Sequence, residues 1–310
     1  MTAFAFVFPG QGSQAPGMGK EFFENFALAR QVFEEAGDAL RLDLKKLCFA
    51  GSEDELQLTA NTQPAVLTCS AAAWKVLHAE TGLHPVVAAG HSLGEYTALL
   101  AAGALDLGSA VAAVRQRGQF MQDAVPAGEG AMAAIMGLDA ETVAVVCEEA
   151  AQGEVLRPAN FNAPDQIAIS GAAAAVARAS ALAKERGAKR VIPLKVSAPF
   201  HCELMLPAAE RMADVLQGIA WQKLSCPVIS NLEAKPYPGP EAAPELLRKQ
   251  ITSPVRWVES VQAMAEMTAE IFLEIGPGKV LTGLIRRIRP EARTLNLSAP
   301  KDLKAVQEAL

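Results

Sequence analysis

The sequence predicts an α/β fold: a parallel-sheet domain interrupted by a smaller unit inserted into it. Three observations carry this expectation. Short apolar runs ending in glycine- or proline-marked turns alternate with longer helical runs along most of the 310 residues. One such run passes through Gly90-His91-Ser92-Leu93-Gly94 into an alanine-rich helical stretch, which is a strand–turn–helix unit. Residues 125–198 change character and read βαββαβ, a compact unit whose ends lie close enough to be inserted into a larger domain. The expected division is therefore 1–124 with 199–310 for the large domain, and 125–198 for the insert.

Taken in order, Phe4–Phe8 is a β-rich run, the core of an apolar start that lacks a basic leader and is too short for a signal segment. It delivers Pro9-Gly10-Gln11-Gly12-Ser13-Gln14 at its carboxyl end, where open α/β sheets bind ligands. Gln11 lies between two glycines, so its backbone amide can serve as an oxyanion donor; a simple strand-exit turn is the alternative. Residues 19–60 read as helices with charged faces. Asn61-Thr62-Gln63-Pro64 reads as a helix start, with proline in the first turn, and Gln63 receives no chemistry.

Val86–Ala89 is a buried strand and Glu95–Ala102 a helix, so Ser92 stands on a tight turn with its hydroxyl clear of the backbone, placed as a nucleophile. The Leu93 amide, at the start of that helix, points toward the charge that an attacked carbonyl would develop. Ser109–Met121 is helical, with a stripe of Ala110, Ala113, Val114, Gly118 and Met121 that includes Arg117, whereas Arg115 points away. A buried guanidinium demands an anion, supplied either by a structural salt bridge or by a ligand carboxylate.

The insert reads strand Ala131–Met136, helix Ala140–Ala151, strands Val155–Phe161 and Gln166–Ser170, helix Ala172–Arg186 and strand Arg190–Val196, a ferredoxin-like order. A cleft between the insert and the parent sheet is expected to take a small ligand. Of the four histidines, His78 and His84 look structural, and His91 is adjacent to Ser92, where side chains diverge, so it is expected to pack under the turn and not to serve as the base. His201, in Ser197-Ala198-Pro199-Phe200-His201 at the return to the large domain, is left as the candidate base or as one more structural histidine. Beyond it, 203–217 and 242–250 read as helices with strand Val228–Ser230 between them. Helix 257–268, strand Ile271–Ile275 and helix Val280–Arg289 follow.

Composition excludes several classes. Hydrophobic residues make up 51% and charged residues 20%, a globular balance without a disordered tract. The net charge of −6 disfavours nucleic acid or an anionic membrane as the main partner. Charges interrupt every apolar run before it could span a bilayer. Five widely spaced cysteines without a Cys-x-x-Cys pair argue against disulfides and a zinc cage, so no metal is expected and a reducing, cytoplasmic setting fits.

The chain resembles the malonyl-CoA:acyl carrier protein transacylase family over essentially its whole length. The resemblance rests on Phe8-Pro9-Gly10-Gln11-Gly12-Ser13-Gln14, Thr62-Gln63-Pro64-Ala65, Gly90-His91-Ser92-Leu93-Gly94-Glu95, Arg115-Gln116-Arg117-Gly118, Pro199-Phe200-His201, Gln250 with Ser253-Pro254-Val255-Arg256-Trp257, and Glu274-Ile275-Gly276-Pro277-Gly278, all in the family's order. It implies a hydrolase-like α/β core carrying a ferredoxin-like insert. It also implies Ser92 as nucleophile, His201 as base, the amides of Gln11 and Leu93 as oxyanion donors, and Arg117 as the malonyl carboxylate ligand. A backbone carbonyl near Gln250 would orient the histidine, so that Asp165, an acid in an insert turn, need not be recruited. Phe200 would go with malonyl over α-methyl-branched acyl groups by filling space. Cys202 stands where the family frequently has serine, a neutral change, and Asn160, Asn162 and Asn231 match family asparagines without an assigned role.

The implied reaction is ping-pong transfer of malonyl from coenzyme A to Ser92, then to the phosphopantetheine thiol of holo acyl carrier protein, supplying fatty acid synthesis with no bound cofactor. That acidic partner is expected to dock at basic residues near the cleft: Lys189, Arg190, Lys195, Arg286 and Arg287. A monomer is the default expectation. Two rivals share parts of the pattern. A serine hydrolase or thioesterase would have little need for a buried cation, and a non-catalytic carrier-binding scaffold would not need both Ser92 and His201.

Overall fold

In the computed structural model, which describes residues 2–310, the chain builds two sheets. Met1, at the head of the apolar start, lies outside the described residues. The larger sheet is parallel, with strands β1 (Phe4–Phe8), β2 (Val87–Gly90), β7 (Val228–Ile229), β8 (Ile271–Ile275) and β9 (Arg293–Leu297) in the order β7-β2-β1-β8-β9. Every residue of β1, β2 and β8 is buried, as strands covered by helices on both faces must be. The register Phe8↔Gly90 brings the carboxyl ends of β1 and β2 level, so the loop after β1 and the turn after β2 emerge side by side.

The smaller sheet is antiparallel: β3 (Gly130–Met136), β4 (Leu156–Ala163), β5 (Gln166–Ala172) and β6 (Arg190–Pro193) in the order β4-β5-β3-β6. Together with helices Ala140–Ala151 and Ala173–Glu185 this is the ferredoxin-like βαββαβ arrangement, with its own core around Ile135, Val143, Leu156 and Ile169. The strand β4 is stitched to the large-sheet side by Phe161 N–H donating to Val255 O and Val255 N–H donating to Ala159 O, both at 2.9 Å. No helix among the described residues is long and apolar enough to cross a membrane.

Three local expectations are corrected. The helix expected to start at Asn61 begins at Thr59 and runs to Thr81, so Pro64 lies inside it. Proline has no N–H for the Ala60 carbonyl, and Arg115, expected to point away, fills that vacancy by donating to Ala60 O at 2.5 Å and to Asn61 Oδ1 at 2.6 Å. The strand β9 had not been expected: its exposed-to-intermediate Arg-Thr-Leu-Asn start lacks a buried apolar pattern and gains its identity from pairing with β8.

Candidate active site

The turn after β2 is strained at the serine itself. Ser92 has φ 53°, in the left-handed region, at a cost of about 1–3 kcal/mol for a non-glycine residue. Its glycine neighbours serve close approach instead of positive φ. A Cβ on Gly90 would lie 1.9 Å from Gly94, and one on Gly94 would lie 2.2 Å from Phe8 O. Asn231 pins the turn by accepting from Ser92 N–H and donating to Gly90 O, each at 2.7 Å.

The turn carries Ser92 Oγ to 2.8 Å from His201 Nε2. The other ring nitrogen, Nδ1, lies 2.9 Å from Gln250 O and 3.1 Å from Ser253 O, so it carries the proton and Nε2 is left as acceptor. His201 is itself left-handed (φ 62°), and burial, reinforced by the Arg117 charge, lowers its pKa to about 3. The ring is therefore neutral at working pH. Asp165 is far from this pair in function: it accepts from Arg287 Nη2 at 2.5 Å.

Arg117 is 1% exposed on the inner face of helix Leu107–Asp123. Gly118 lets that helix touch Thr59–Thr81, since a Cβ there would sit 2.6 Å from Thr59 O. The guanidinium donates to Gln63 Oε1 (2.7 Å), Gln250 Oε1 (2.9 Å) and Ser92 Oγ (3.0 Å), and lies 5.8 Å from the Tyr96 ring centroid. All three acceptors are neutral, and among the described residues Arg117 has no ion pair. Burial lowers its pKa, opposed by Tyr96 and Glu95, yet an arginine stays charged. The site thus holds a desolvated cation, within reach of the serine, that no protein carboxylate touches.

Gln63, to which the sequence reading gave no chemistry, is part of this machinery. Its Nε2 donates to Thr59 Oγ1 (3.0 Å), which donates to Gln11 Oε1 (2.8 Å), tying the loop after β1 to the guanidinium. Gln11 and Leu93 line the cavity, and among the described residues neither backbone amide has a hydrogen-bond acceptor in the protein. The cavity, of about 100 Å³, is also lined by His91, Met121, Met132, Asn160 and Phe200. Gln11, Leu194 and Val196 are shared with an outer groove of about 470 Å³ that adds Lys195.

His91 does not pack away under the turn. It borders the cavity, with one ring nitrogen 2.8 Å from Asn162 Oδ1 and its ring 5.6 Å from that of Trp257, joining the serine turn to the insert. Cys202 is buried, its thiol donating to Pro199 O at 3.2 Å. Of the basic residues suggested for docking, Arg287 is engaged by Asp165 and Gln166, and Arg286 donates to Thr294 Oγ1 at 2.8 Å. Sequence reasoning also missed Glu95. It is wholly buried behind the serine turn, accepting from Gln250 Nε2 (2.8 Å), Asn231 N–H (3.0 Å) and the Tyr237 hydroxyl.

Residues 5–297 match the family described as "Acyl transferase domain". The chain belongs to that family. Acyl transferase relatives named malonyl CoA-acyl carrier protein transacylase include that of Bacillus subtilis (strain 168), 48% identical over all of this chain and 98% of the relative. The Escherichia coli (strain K12) protein of the same name is 47% identical over all of this chain and 99% of its own length. Among solved structures, the transacylase from Coxiella burnetii superposes with TM-score 0.98 at 43% identity, covering all of this acyl transferase and 98% of that chain. A malonyl-transacylase described in complex with a type II polyketide synthase acyl-carrier protein superposes with TM-score 0.97 at 45% identity, each chain covered in full.

Proposed function

We propose that this acyl transferase moves malonyl from coenzyme A to the phosphopantetheine thiol of an acyl carrier protein, by way of an ester on Ser92. The observation that carries the reading is the unpaired Arg117 guanidinium, 3.0 Å from the nucleophile and held only by neutral acceptors. A malonyl group esterified to Ser92 brings a free carboxylate into that space, where a charge-assisted, two-pronged pair can form. A hydrolase acting on uncharged acyl groups would have little need for a buried cation beside its nucleophile.

In the first half-reaction Ser92 Oγ gives its proton to His201 Nε2 and attacks the thioester carbonyl. The oxyanion forms between the Gln11 and Leu93 amides, the C–S bond breaks, and His201 returns the proton to the CoA sulfur. In the second, the carrier's thiol gives its proton to His201 and attacks the Ser92 ester, the acyl C–Oγ bond breaks, and the proton goes back to Oγ. The carbonyls of Gln250 and Ser253 hold the His201 tautomer in place of an acid. A carboxylate on Arg117 offsets part of the positive charge that depresses His201, so a malonyl-loaded site has a stronger base than an empty one.

Phe200, 8% exposed on the cavity wall, is assigned to excluding α-branched acyl groups by bulk. For the acidic carrier the proposed docking face centres on Lys195, at the outer groove, with Lys189 and Arg190 at the start of β6 and Arg286 and Arg287 as further positions. The insert is assigned to 125–198 and the catalytic domain to 1–124 with 199–310. The site is complete within one chain, which supports a monomer as the working unit. Five free cysteines, four of them buried, support a cytoplasmic setting.

Intact-mass analysis tests the reading. With malonyl-CoA the chain should gain one malonyl group on Ser92, keep it in water, and lose it on addition of holo carrier protein. Spontaneous loss in water would make it a hydrolase; no adduct would make it a scaffold.

A further inference from the structure

Glu95 is a buried carboxylate that the reaction described above does not use. It sits one amide group from Arg117: Gln250 Nε2 donates to Glu95 Oε2 at 2.8 Å while Gln250 Oε1 accepts from Arg117 Nη2 at 2.9 Å. Its partners come from distant parts of the chain. Arg117 faces it from helix Leu107–Asp123, Gln250 from helix Ala243–Gln250, Asn231 and Tyr237 from the segment after β7, and Tyr96 is its neighbour in sequence. Beyond Arg117 lies His201, neutral at working pH, and Glu233 bears on Tyr237. Arg117 is the cation among these groups, and Glu95 the acid nearest to it.

Resting on the malonyl reading of the Arg117 site, we propose that Glu95 is its counter-charge: an ionised Glu95 balances the guanidinium while the site is empty, and Glu95 takes up one proton from solvent when a carboxylate-bearing acyl group arrives. Two carboxylates sharing one buried cation leave a net negative charge in a desolvated space, and protonating the one without a direct ion pair relieves it. The hydrogen bonds allow this without rearrangement. Oε2 keeps both of its N–H donors, from Asn231 and Gln250, and the new proton lies on Oε1, toward a Tyr237 hydroxyl that can turn to accept it. Burial already raises the Glu95 pKa to about 7, close to where such an exchange is easiest. The outcome is specific to malonyl: an acetyl group brings no charge and moves no proton.

The test is the ratio of kcat/KM for malonyl-CoA to that for acetyl-CoA between pH 6 and 9, in which the titrations of coenzyme A, His201 and the acceptor thiol cancel. In the wild type the ratio should fall as pH rises above about 7, by up to about tenfold per pH unit. Glu95→Gln reproduces the hydrogen-bond pattern of the neutral acid, so its ratio should be flat and equal to the low-pH value of the wild type. A flat wild-type ratio, or the same slope in Glu95→Gln, would overturn the proposal. The wild-type curve decides the matter even if the variant does not fold. A protein with no preference for malonyl at any pH would instead remove the Arg117 reading on which this one stands.

Discussion

Replacing Arg117 with alanine removes the buried cation proposed to meet the substrate carboxylate, and the structure sets the size of the effect. The guanidinium is 1% exposed and its three acceptors are neutral, so the malonyl carboxylate in the variant would enter a desolvated space with no cation. Truncating one partner of a buried, hydrogen-bonded charge pair costs about 2–5 kcal/mol. At about 1.4 kcal/mol per decade, kcat/KM for malonyl-CoA should fall by about 30- to 5,000-fold. Arg117 also donates to Ser92 Oγ at 3.0 Å, so part of any loss could be common to all acyl groups. Discrimination separates the two effects. Steady-state transfer from malonyl-CoA and from acetyl-CoA should show malonyl losing its advantage, with acetyl transfer spared or improved as the cavity sheds an unpaired cation. Equal losses for the two donors would refute the carboxylate role and leave Arg117 as a support for the nucleophile.

Two further outcomes follow from the surroundings of the same residues. Gln63→Met keeps the side-chain length but leaves Arg117 Nη1 without its 2.7 Å acceptor and cuts the link through Thr59 to Gln11. An unmet buried donor costs about 1–3 kcal/mol, so malonyl kcat/KM should fall by about 5- to 150-fold; an unchanged value would return Gln63 to a purely packing role. For His201, the folded-state pKa of about 3 lies below the ordinary 6.5, so the unfolded chain binds the extra proton between those limits. Stability from keeping this ring neutral is present above pH 6.5 and is lost as pH falls toward 3. The stability of the wild type minus that of His201→Gln should therefore rise with pH across that window, by up to about 1.4 kcal/mol per pH unit, and level off above it. Denaturant titrations at several pH values measure it, and a difference independent of pH would mean that the ring is not held neutral. Glu95 has the opposite sign, its contribution fading between pH 4.5 and about 7, but it is common to both proteins and cancels in the difference.

Much of the fold was legible because its signals are local. Apolar runs with flanking turns gave the buried strands of the large sheet, and the order of six elements gave the ferredoxin-like insert. Arg117 was legible through helical periodicity alone, since it shares a face with Ala110, Ala113, Val114 and Met121. The serine turn was legible too, and the structure adds its physics: Ser92 bears the positive φ, while Gly90 and Gly94 let β1, β2 and the following helix touch. What stayed hidden depends on distant parts of the chain. The helix Thr59–Thr81 is preceded by Leu58, which offers no side-chain cap, so the start was misplaced and Gln63 seemed to lie at a helix end instead of facing Arg117. Glu95 in a first helical turn looks like ordinary helix-dipole compensation. Only the return of Asn231, Tyr237 and Gln250, more than 130 positions later, shows it to be buried. His91 was misread for the same reason, its partner Asn162 arriving from the insert.

The most direct test of the central claim is a crystal structure of the enzyme trapped as its malonyl ester. The ester should be on Ser92 Oγ, with its carbonyl oxygen between the Gln11 and Leu93 amides and its free carboxylate paired with Arg117. A carboxylate turned away from Arg117 into the outer groove, or an acyl group on any other residue, would contradict the account.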